Sequence, residues 1–393
     1  MPENHHTQKN HPKKTAIVCI SDIYLARGLQ LRDFYEKQGD EVRIYTPDFS
    51  HRRKAVIEKS ERIAGVYYLP HMPYQKNLSV QRLYGHYAFA KESRKAIEDW
   101  QANRIHALVP ANSIAGQMAR YKADYPDTEL YFDLIDLWPE SLPIGWFMKT
   151  PPAWIWRSMR NRHLGAADLL FAECGLFAET IEEQTGLQPD ILYWSLEDDA
   201  PVMEASLPRD HMALCYLGSV NNIIDLDWME AFLEELSARI PVSLHVIASG
   251  EKKQEMLERF GRHVQIIDYG HVYDPKAKQE IFAKCHYGLN LMKESVMIGL
   301  SMKSLDYLKG GLPMINSLGG DLQTWIEEKK TGINVERDDI EKSVDALLAI
   351  GKKEHLQMRK NARDLYEKEL SMQAFEKQLE QSILSLKEPD DLK

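Results

Sequence analysis

The sequence predicts an α/β protein of two doubly wound domains with a cleft between them. Three observations predict it. Short β-branched runs alternate with amphipathic helical segments along nearly the whole chain. The alternation breaks once, at an acidic, helix-poor link from Ser195 to Asp210 (SLEDDAPVMEASLPRD), and then begins again. A length of 393 residues also exceeds the usual size of one domain. Strands alternating with helices in this way imply parallel sheets covered on both faces.

Thr15–Ser21 (TAIVCIS) opens the first domain as a buried strand. A helix over Arg27–Gln38 stops at Gly39, and strands follow at Glu41–Tyr45 and Val66–Leu69. Leu83–Ala102 reads as a long helix. Strand Ala107–Pro110, helix Ile114–Ala123 and strand Glu129–Ile135 then lead into the segment DLWPES, with further α/β units as far as Leu192. Past the link, Met212 (MALCYLGS) opens the second series. It continues as helix Asp227–Ala238, strand Val242–Ala248, helix Lys253–Phe260 and strands Val264–Asp268 and Tyr287–Leu291. Helices over Ile340–Leu386 close the chain. The domains are placed at 15–205 and 206–372, after a disordered polar tail over 1–14. A last helix within 373–393 is expected to cross back onto the first domain.

Hydrophobic residues at 44% and charged residues at 27% are ordinary for a globular protein, so each domain can bury a core. A net charge of −10 argues against a general nucleic-acid binder. Cys19, Cys174, Cys215 and Cys285 lie far apart in apolar runs, as buried thiols of a reducing compartment do. No cysteine or histidine pair has metal-ligand spacing. The N-terminal PENHHTQKNHPKK lacks the apolar centre of a secretion signal. No run is apolar enough to span a bilayer. These features predict a cytoplasmic protein.

The densest cluster of chemistry is Gly299–Asp321 (GLSMKSLDYLKGGLPMINSLGGD). A short helix carries Lys303, Asp306 and Tyr307 on one face, since residues three and four apart are neighbours. It stops at Gly310-Gly311. Strand Leu312–Asn316 follows, then a glycine turn over Ser317–Gly320, and Asp321 is placed to cap the next helix. A cation, a carboxylate and helix starts thus gather at strand ends, where an α/β sheet can hold a phosphorylated ligand with a ribose.

Ser301, Lys303, Asp306, Tyr307, Gly311, Pro313 and Ile315 match the pattern S-x-K-x-x-E/D-Y-x-x-x-G-x-P-x-I. That pattern resembles glycosyltransferase family 4 and related bacterial polysaccharide enzymes, as do DLWPES (Asp136–Ser141) and the turn YLGS (Tyr216–Ser219). From Thr15 to Leu386 the chain is similar to GT-B glycosyltransferases, which have two Rossmann-like domains. The resemblance implies a nucleotide-sugar donor in the second domain and a glycan or lipid-linked glycan acceptor in the first. It also implies retention of anomeric configuration, with no metal and no separate cofactor. The ribose-binding acid falls on Asp306, and Gly218, Ser219, Asn221, Ser301, Lys303, Gly319 and Gly320 complete the donor set. The first acid of the family's E-x7-E pair falls on Ile298 and is not kept; Glu294 is the nearby acid that could substitute. The cations that often follow the YLGS-like turn are replaced by VNNIIDLD. Asp225-Leu226-Asp227 within that run reads as a helix cap and not as a metal motif.

Asp136 and Glu140, at the carboxyl end of a strand, suit orientation of an acceptor hydroxyl, and with Glu294 they are the catalytic candidates. Each site residue also has a plain reading. Asp306 pairs with Lys303 or Lys309 on a solvated face, the glycines serve turns, and Asp136 and Glu140 cap the turn before Pro139. One segment, Ile144–Arg162, sets Trp146, Trp154 and Trp156 beside Arg157 and Arg160. It fits either an anionic bilayer surface or a helix with its tryptophans in the core. The expected activity is sugar transfer in surface polysaccharide assembly, at the inner face of the plasma membrane. A nucleotide-sugar epimerase of the same architecture and a non-catalytic nucleotide-sugar-binding subunit are the alternatives.

Overall fold

A computed structural model describes residues 12–142, 145–199, 208 and 210–386; residues 1–11 of the predicted polar tail, Pro143, Ile144 and most of the acidic link lie outside them, while Lys14, placed in that tail, opens the first strand. In chain order the first unit is β1 (Lys14–Val18), α1 (Leu25–Lys37), β2 (Glu41–Pro47), β3 (Phe49–Ser50), β4 (Ala55–Val56) and β5 (Val66–Leu69). It continues with α2 (Val80–Trp100), β6 (Arg104–Val109), α3 (Asn112–Asp124), β7 (Glu129–Leu134) and α4 (Pro151–Leu164). Then come β8 (Leu169–Ala172), α5 (Gly175–Thr185) and β9 (Asp190–Ile191). The second unit starts with β10 (Met212–Ser219), α6 (Leu226–Ser237), β11 (Val242–Ser249), α7 (Lys253–Phe260) and β12 (Gln265–Gly270). It goes on through α8 (Pro275–Phe282), β13 (Tyr287–Asn290), α9 (Met302–Lys309), β14 (Met314–Asn316) and α10 (Asp321–Lys329). Last are β15 (Gly332–Asn334), α11 (Ile340–Ala349), α12 (Lys352–Leu365) and α13 (Met372–Ser385).

Two parallel sheets result, ordered β5-β2-β1-β6-β7-β8-β9 and β12-β11-β10-β13-β14-β15. β3 and β4 stand apart as a small antiparallel hairpin. A parallel sheet covered on both faces needs apolar side chains at consecutive positions, and all six residues of β6 are buried. Strand order reverses between β1 and β6 and again between β10 and β13, so each sheet opens a crevice at its carboxyl edge. The sequence did not announce α8, although Asp274 before Pro275 is a helix start: its carboxylate accepts from the N–H groups of Lys276 and Ala277. Strand β15 is only three residues long, below the reach of periodicity.

The carboxyl edge of the second sheet is fixed by side chains. Asn290, Asn316 and Asn334 lie in register on β13, β14 and β15. The Asn290 amide donates to Asn316 Oδ1 at 2.9 Å and the Asn316 amide to Asn334 Oδ1 at 3.0 Å. Ser301 joins this ladder by donating to Asn290 Oδ1 at 2.9 Å, and it caps α9 by accepting from the Ser304 N–H. Tyr307 locks α9 onto the sheet. Its hydroxyl accepts from the Leu217 N–H at 2.8 Å and donates to the Cys215 carbonyl at 3.2 Å.

The two units meet at their carboxyl edges. Asp321 corrects the sequence reading here. Gly320 is the N-cap of α10, and the Asp321 carboxylate caps α5 of the other unit. It accepts from the Gly175 N–H at 2.9 Å, the Leu176 N–H at 3.2 Å and the Tyr193 hydroxyl at 2.8 Å. The first N–H groups of α5 have no partner within their own helix, and the helix dipole favours a negative charge there. Sequence spacing cannot show which of two nearby helix starts an acid will serve. Helix α13 returns to the first unit: Glu376 pairs with Lys37, and the Phe375 ring lies 5.1 Å from the buried Arg27 guanidinium. Arg27 in turn grips Asp133 through two hydrogen bonds of 2.7 and 3.0 Å.

A methyl group on Gly288 of β13 would sit 2.7 Å from the Tyr307 ring, which its own hydrogen bonds hold in place. Gly288→Ala should therefore lower stability by about 1–3 kcal/mol in urea melts, the usual cost of overpacking a core. Gly165→Ala, with open space around the new methyl, should change it little.

Candidate active site

Strand β10 ends in Gly218 and Ser219, and Gly218 has a φ of 121°, a conformation that glycine adopts freely. Lys303 lies against this turn, and its Cε would be 3.6 Å from a Cβ on Gly218. The Lys303 side chain is buried. Its Nζ lies 4.5 Å from the Tyr216 ring centroid and has no hydrogen-bond partner. Burial without a counter-charge pulls the proton affinity of the amine down to about 7. Neither plain pairing foreseen for Asp306 is made. Lys309 turns to the link, donating to the Glu197 carbonyl and to Asp199. Asp306 instead accepts from Lys278 of α8 at 2.7 Å through one oxygen, and its other oxygen makes no hydrogen bond among the described residues. The sequence reading missed Lys278 because it missed α8.

The other donor candidates divide. Ser219 is exposed at the strand end. Asn221 spends its side-chain oxygen on the Ile223 N–H within its own turn. Ser301 is buried and works as the cap already described. Gly319 is nearly open, whereas Gly320, at φ 69°, packs on Leu176 of the first unit. Asp225 caps α6 and pairs with Arg337, as the cap reading expected. No cluster of metal-ligating side chains occurs among the described residues.

Across from this edge, Asp136 follows β7. Its two oxygens accept from the Tyr24 hydroxyl at 3.1 Å, the Trp138 indole N–H at 2.9 Å and the Ser141 hydroxyl. Desolvation raises its proton affinity above the usual carboxylate range. Glu173, directly after β8, is raised further, first by desolvation and then by the charge of Asp136. The Trp194 indole N–H donates to it. Glu173 was not singled out from the sequence; a lone acid directly after an apolar strand is the signal that marks it.

Two groups of candidates need correction. Glu140 does not share the site chemistry of Asp136. It accepts two hydrogen bonds from Arg160, at 3.0 and 3.2 Å, lies 2.8 Å from Arg157 Nε, and is also held by the Gln184 amide. Against the desolvation that would raise it, Arg160 first and then the Gln184 amide hold its carboxyl below the usual range. Arg160 is fully buried and therefore cannot belong to an outer basic face, whereas Arg157 pairs with Glu140 and stays partly exposed. Of the tryptophans, Trp146 and Trp154 point outward and Trp156 is partly buried. Glu294 is largely exposed and lies 3.4 Å from Arg337.

Residues 212–352 match the family of glycosyl transferases group 1. A search of curated proteins finds no match. Among solved structures, Anabaena HepE in complex with UDP and glucose superposes with a TM-score of 0.65 over 95% of this chain and 100% of that one, at 12% identity. A glycosyltransferase from Rickettsia africae gives 0.66 over 97% and 100%, at 11% identity. WaaG, described as a glycosyltransferase of lipopolysaccharide biosynthesis, gives 0.64 over 94% and 99%, at 12% identity. The chain has the GT-B fold. Its second unit carries the match to glycosyl transferases group 1; Gly218 and Lys303 stand at the carboxyl edge of one sheet, and Asp136 and Glu173 at that of the other.

Lys303 also leaves a thermodynamic mark on the GT-B domain. Its amine titrates near 7 when folded and near 10.5 in a free chain. Between those values the unfolded chain binds the extra proton, so stability rises with pH across this window. Lys303→Met should stabilise the ligand-free protein by about 1–3 kcal/mol at pH 7, the typical cost of an unsatisfied buried polar group. In thermal melts the gain should shrink as the pH approaches 10.

Proposed function

We infer that the protein transfers a sugar from a nucleoside-diphosphate donor to a hydroxyl of a glycan or lipid-linked glycan acceptor. The observation that carries this is the Lys303 amine, buried beside the Gly218 turn with no anion to answer it. A donor diphosphate bound at that turn would supply the missing counter-charge, with backbone N–H groups adding hydrogen bonds. Asp306, with one free oxygen, suits the ribose hydroxyls. Complexes of HepE with UDP and with UDP-glucose support a uridine donor.

The acceptor hydroxyl would approach from Asp136. A carboxylate has about four lone-pair sites, and three are taken, which leaves one for that hydroxyl. In the transfer, the hydroxyl oxygen bonds to the anomeric carbon and the bond from that carbon to the diphosphate breaks. The electron pair leaves with the diphosphate and the hydroxyl proton passes to Asp136, and attack from the face the diphosphate leaves keeps the anomeric configuration. Desolvation and the charge of Asp136 push the Glu173 carboxyl well above the usual range, and the Trp194 indole N–H donates to it. Retention, independence of metal, a role in surface polysaccharide assembly and a place at the cytoplasmic face of the membrane belong to the same reading.

Titration calorimetry with UDP-sugars tests the donor, and release of UDP in the presence of acceptor tests the transfer. Asp306→Ala should weaken nucleotide binding by about 1.5–3 kcal/mol, the range for hydrogen bonds to a charged group. Lys303→Met should weaken UDP far more than uridine, because only UDP carries the charge. Equal losses for the two ligands would make Lys303 a structural residue. Interconversion of free nucleotide sugar without UDP release would identify an epimerase.

A further inference from the structure

The first unit carries an apolar groove that the donor site does not use. It runs between α2 and α4 as two adjoining cavities of about 350 and 310 Å³. Both are lined by Leu83, His86, Trp138, Phe147 and Trp156. Of the residues that line it, Leu78, Val80, Trp146 and Ile155 are each more than half exposed. Apolar surface on this scale marks a place where something apolar binds.

The floor of the first cavity is not apolar. Arg82 lines it and is only 8% exposed. The guanidinium donates to the Asn77 carbonyl at 2.8 Å and to His86 Nε2 at 3.3 Å, where burial keeps the imidazole neutral. It stacks 4.7 Å from the Trp138 ring centroid. Arg82 makes no ion pair among the described residues. Nearby Lys54 also lacks a carboxylate partner; it donates to Asn77 Oδ1 at 2.5 Å and faces the Tyr74 ring. The neighbouring acids are engaged elsewhere. Asp22 accepts from the Ser50 hydroxyl and the His51 N–H, and Asp136 from the three donors described above. A buried cation without a counter-ion is costly, and an anion would relieve it.

We propose that this groove holds the hydrocarbon tail of a lipid-phosphate acceptor, with the phosphate on Arg82 and Lys54. The inference rests on the glycosyltransferase reading and narrows its acceptor. Trp138 ties the two together: the ring that stacks on Arg82 also donates its N–H to Asp136. A phosphate at Arg82 therefore stands one tryptophan away from the carboxylate that receives the acceptor hydroxyl.

The test titrates the full chain with farnesyl monophosphate, farnesol and inorganic phosphate, read by tryptophan fluorescence, with UDP binding measured in parallel. Farnesyl monophosphate should bind saturably, farnesol at least about tenfold more weakly, and inorganic phosphate should not compete, since only the amphiphile uses both halves of the site. Arg82→Gln should cost farnesyl monophosphate about tenfold and leave farnesol and UDP unchanged. Leu83→Asp should weaken both lipids and spare UDP. If Arg82→Gln fails to fold, Lys54→Gln reads the same charge. Equal affinity for phosphate and alcohol, or indifference to both the charge and the groove variants, overturns the proposal. UDP binding without saturable farnesyl monophosphate binding removes the lipid site and leaves the donor reading standing. Lipid-phosphate binding without UDP binding supports the groove and removes the donor reading.

Discussion

The cleft depends on where the Asp321 carboxylate sits. It starts one helix of the second unit and caps another in the first, so both carboxyl edges are referred to a single side chain. The contact is short-range and directional, as a helix cap must be. It explains the small residues around it. A Cβ on Gly175 would press on Asp321, and one on Gly299 would come within 2.5 Å of Cys174 Sγ. Tyr193 closes the same junction, with its hydroxyl on Asp321 and its ring 5.1 Å from Trp325. Arg27 does the equivalent work behind the cleft. It ties Asp133 to the Leu192 and Tyr193 carbonyls and rests against Phe375 of the returning helix. Asp321, Tyr193 and Arg27 thus tie the two units and the returning helix together through specific polar contacts.

Charge around that cleft runs against the charge of the whole. The chain carries −10, yet Lys303 and Arg82 are buried with no carboxylate beside them. The acids nearby are Asp136 and Glu173, and desolvation pushes both toward the protonated form. Most other buried cations of the fold have partners: Arg27 has Asp133, Arg104 has Asp40 and Glu129, and Arg160 has Glu140. Arg359, also buried without an ion pair among the described residues, donates to the Cys285 carbonyl, whereas Lys303 and Arg82 stand at the two proposed ligand sites. Leaving a cation unpaired costs stability, and the cost falls where an anionic ligand would remove it.

Most of the architecture was legible in the sequence because parallel sheets write themselves as dense apolar runs. Tyr216–Ser219 and the helix from Met302 to Lys309 were legible because glycine turns and periodic helices are local. What escaped was non-local. Lys278 lies 28 residues before Asp306 in sequence, and nothing in either segment points to the other. Glu140 stands four residues after Asp136, yet arginines from α4 draw it into a different network. The same pairing buries Arg160 and turns Arg157, still partly exposed, toward Glu140, while Trp146 and Trp154 face outward. Cation-aromatic clusters read identically whether the cation faces solvent or a buried acid; only the fold separates them.

Trp138 shows how closely the two chemistries of the first unit are coupled. Its N–H holds Asp136, its face receives Arg82, and its edge forms part of the apolar groove. A ligand that fills the groove and neutralises Arg82 must press on the residue that orients Asp136. Such a contact can couple acceptor occupancy to carboxylate position without a moving lid. The coupling is as large as the difference in Trp138 contacts between the two states, since a ligand shifts an equilibrium only by its differential interaction. In this fold the indole is buried and its partners are fixed, so small displacements at the groove have few other places to go.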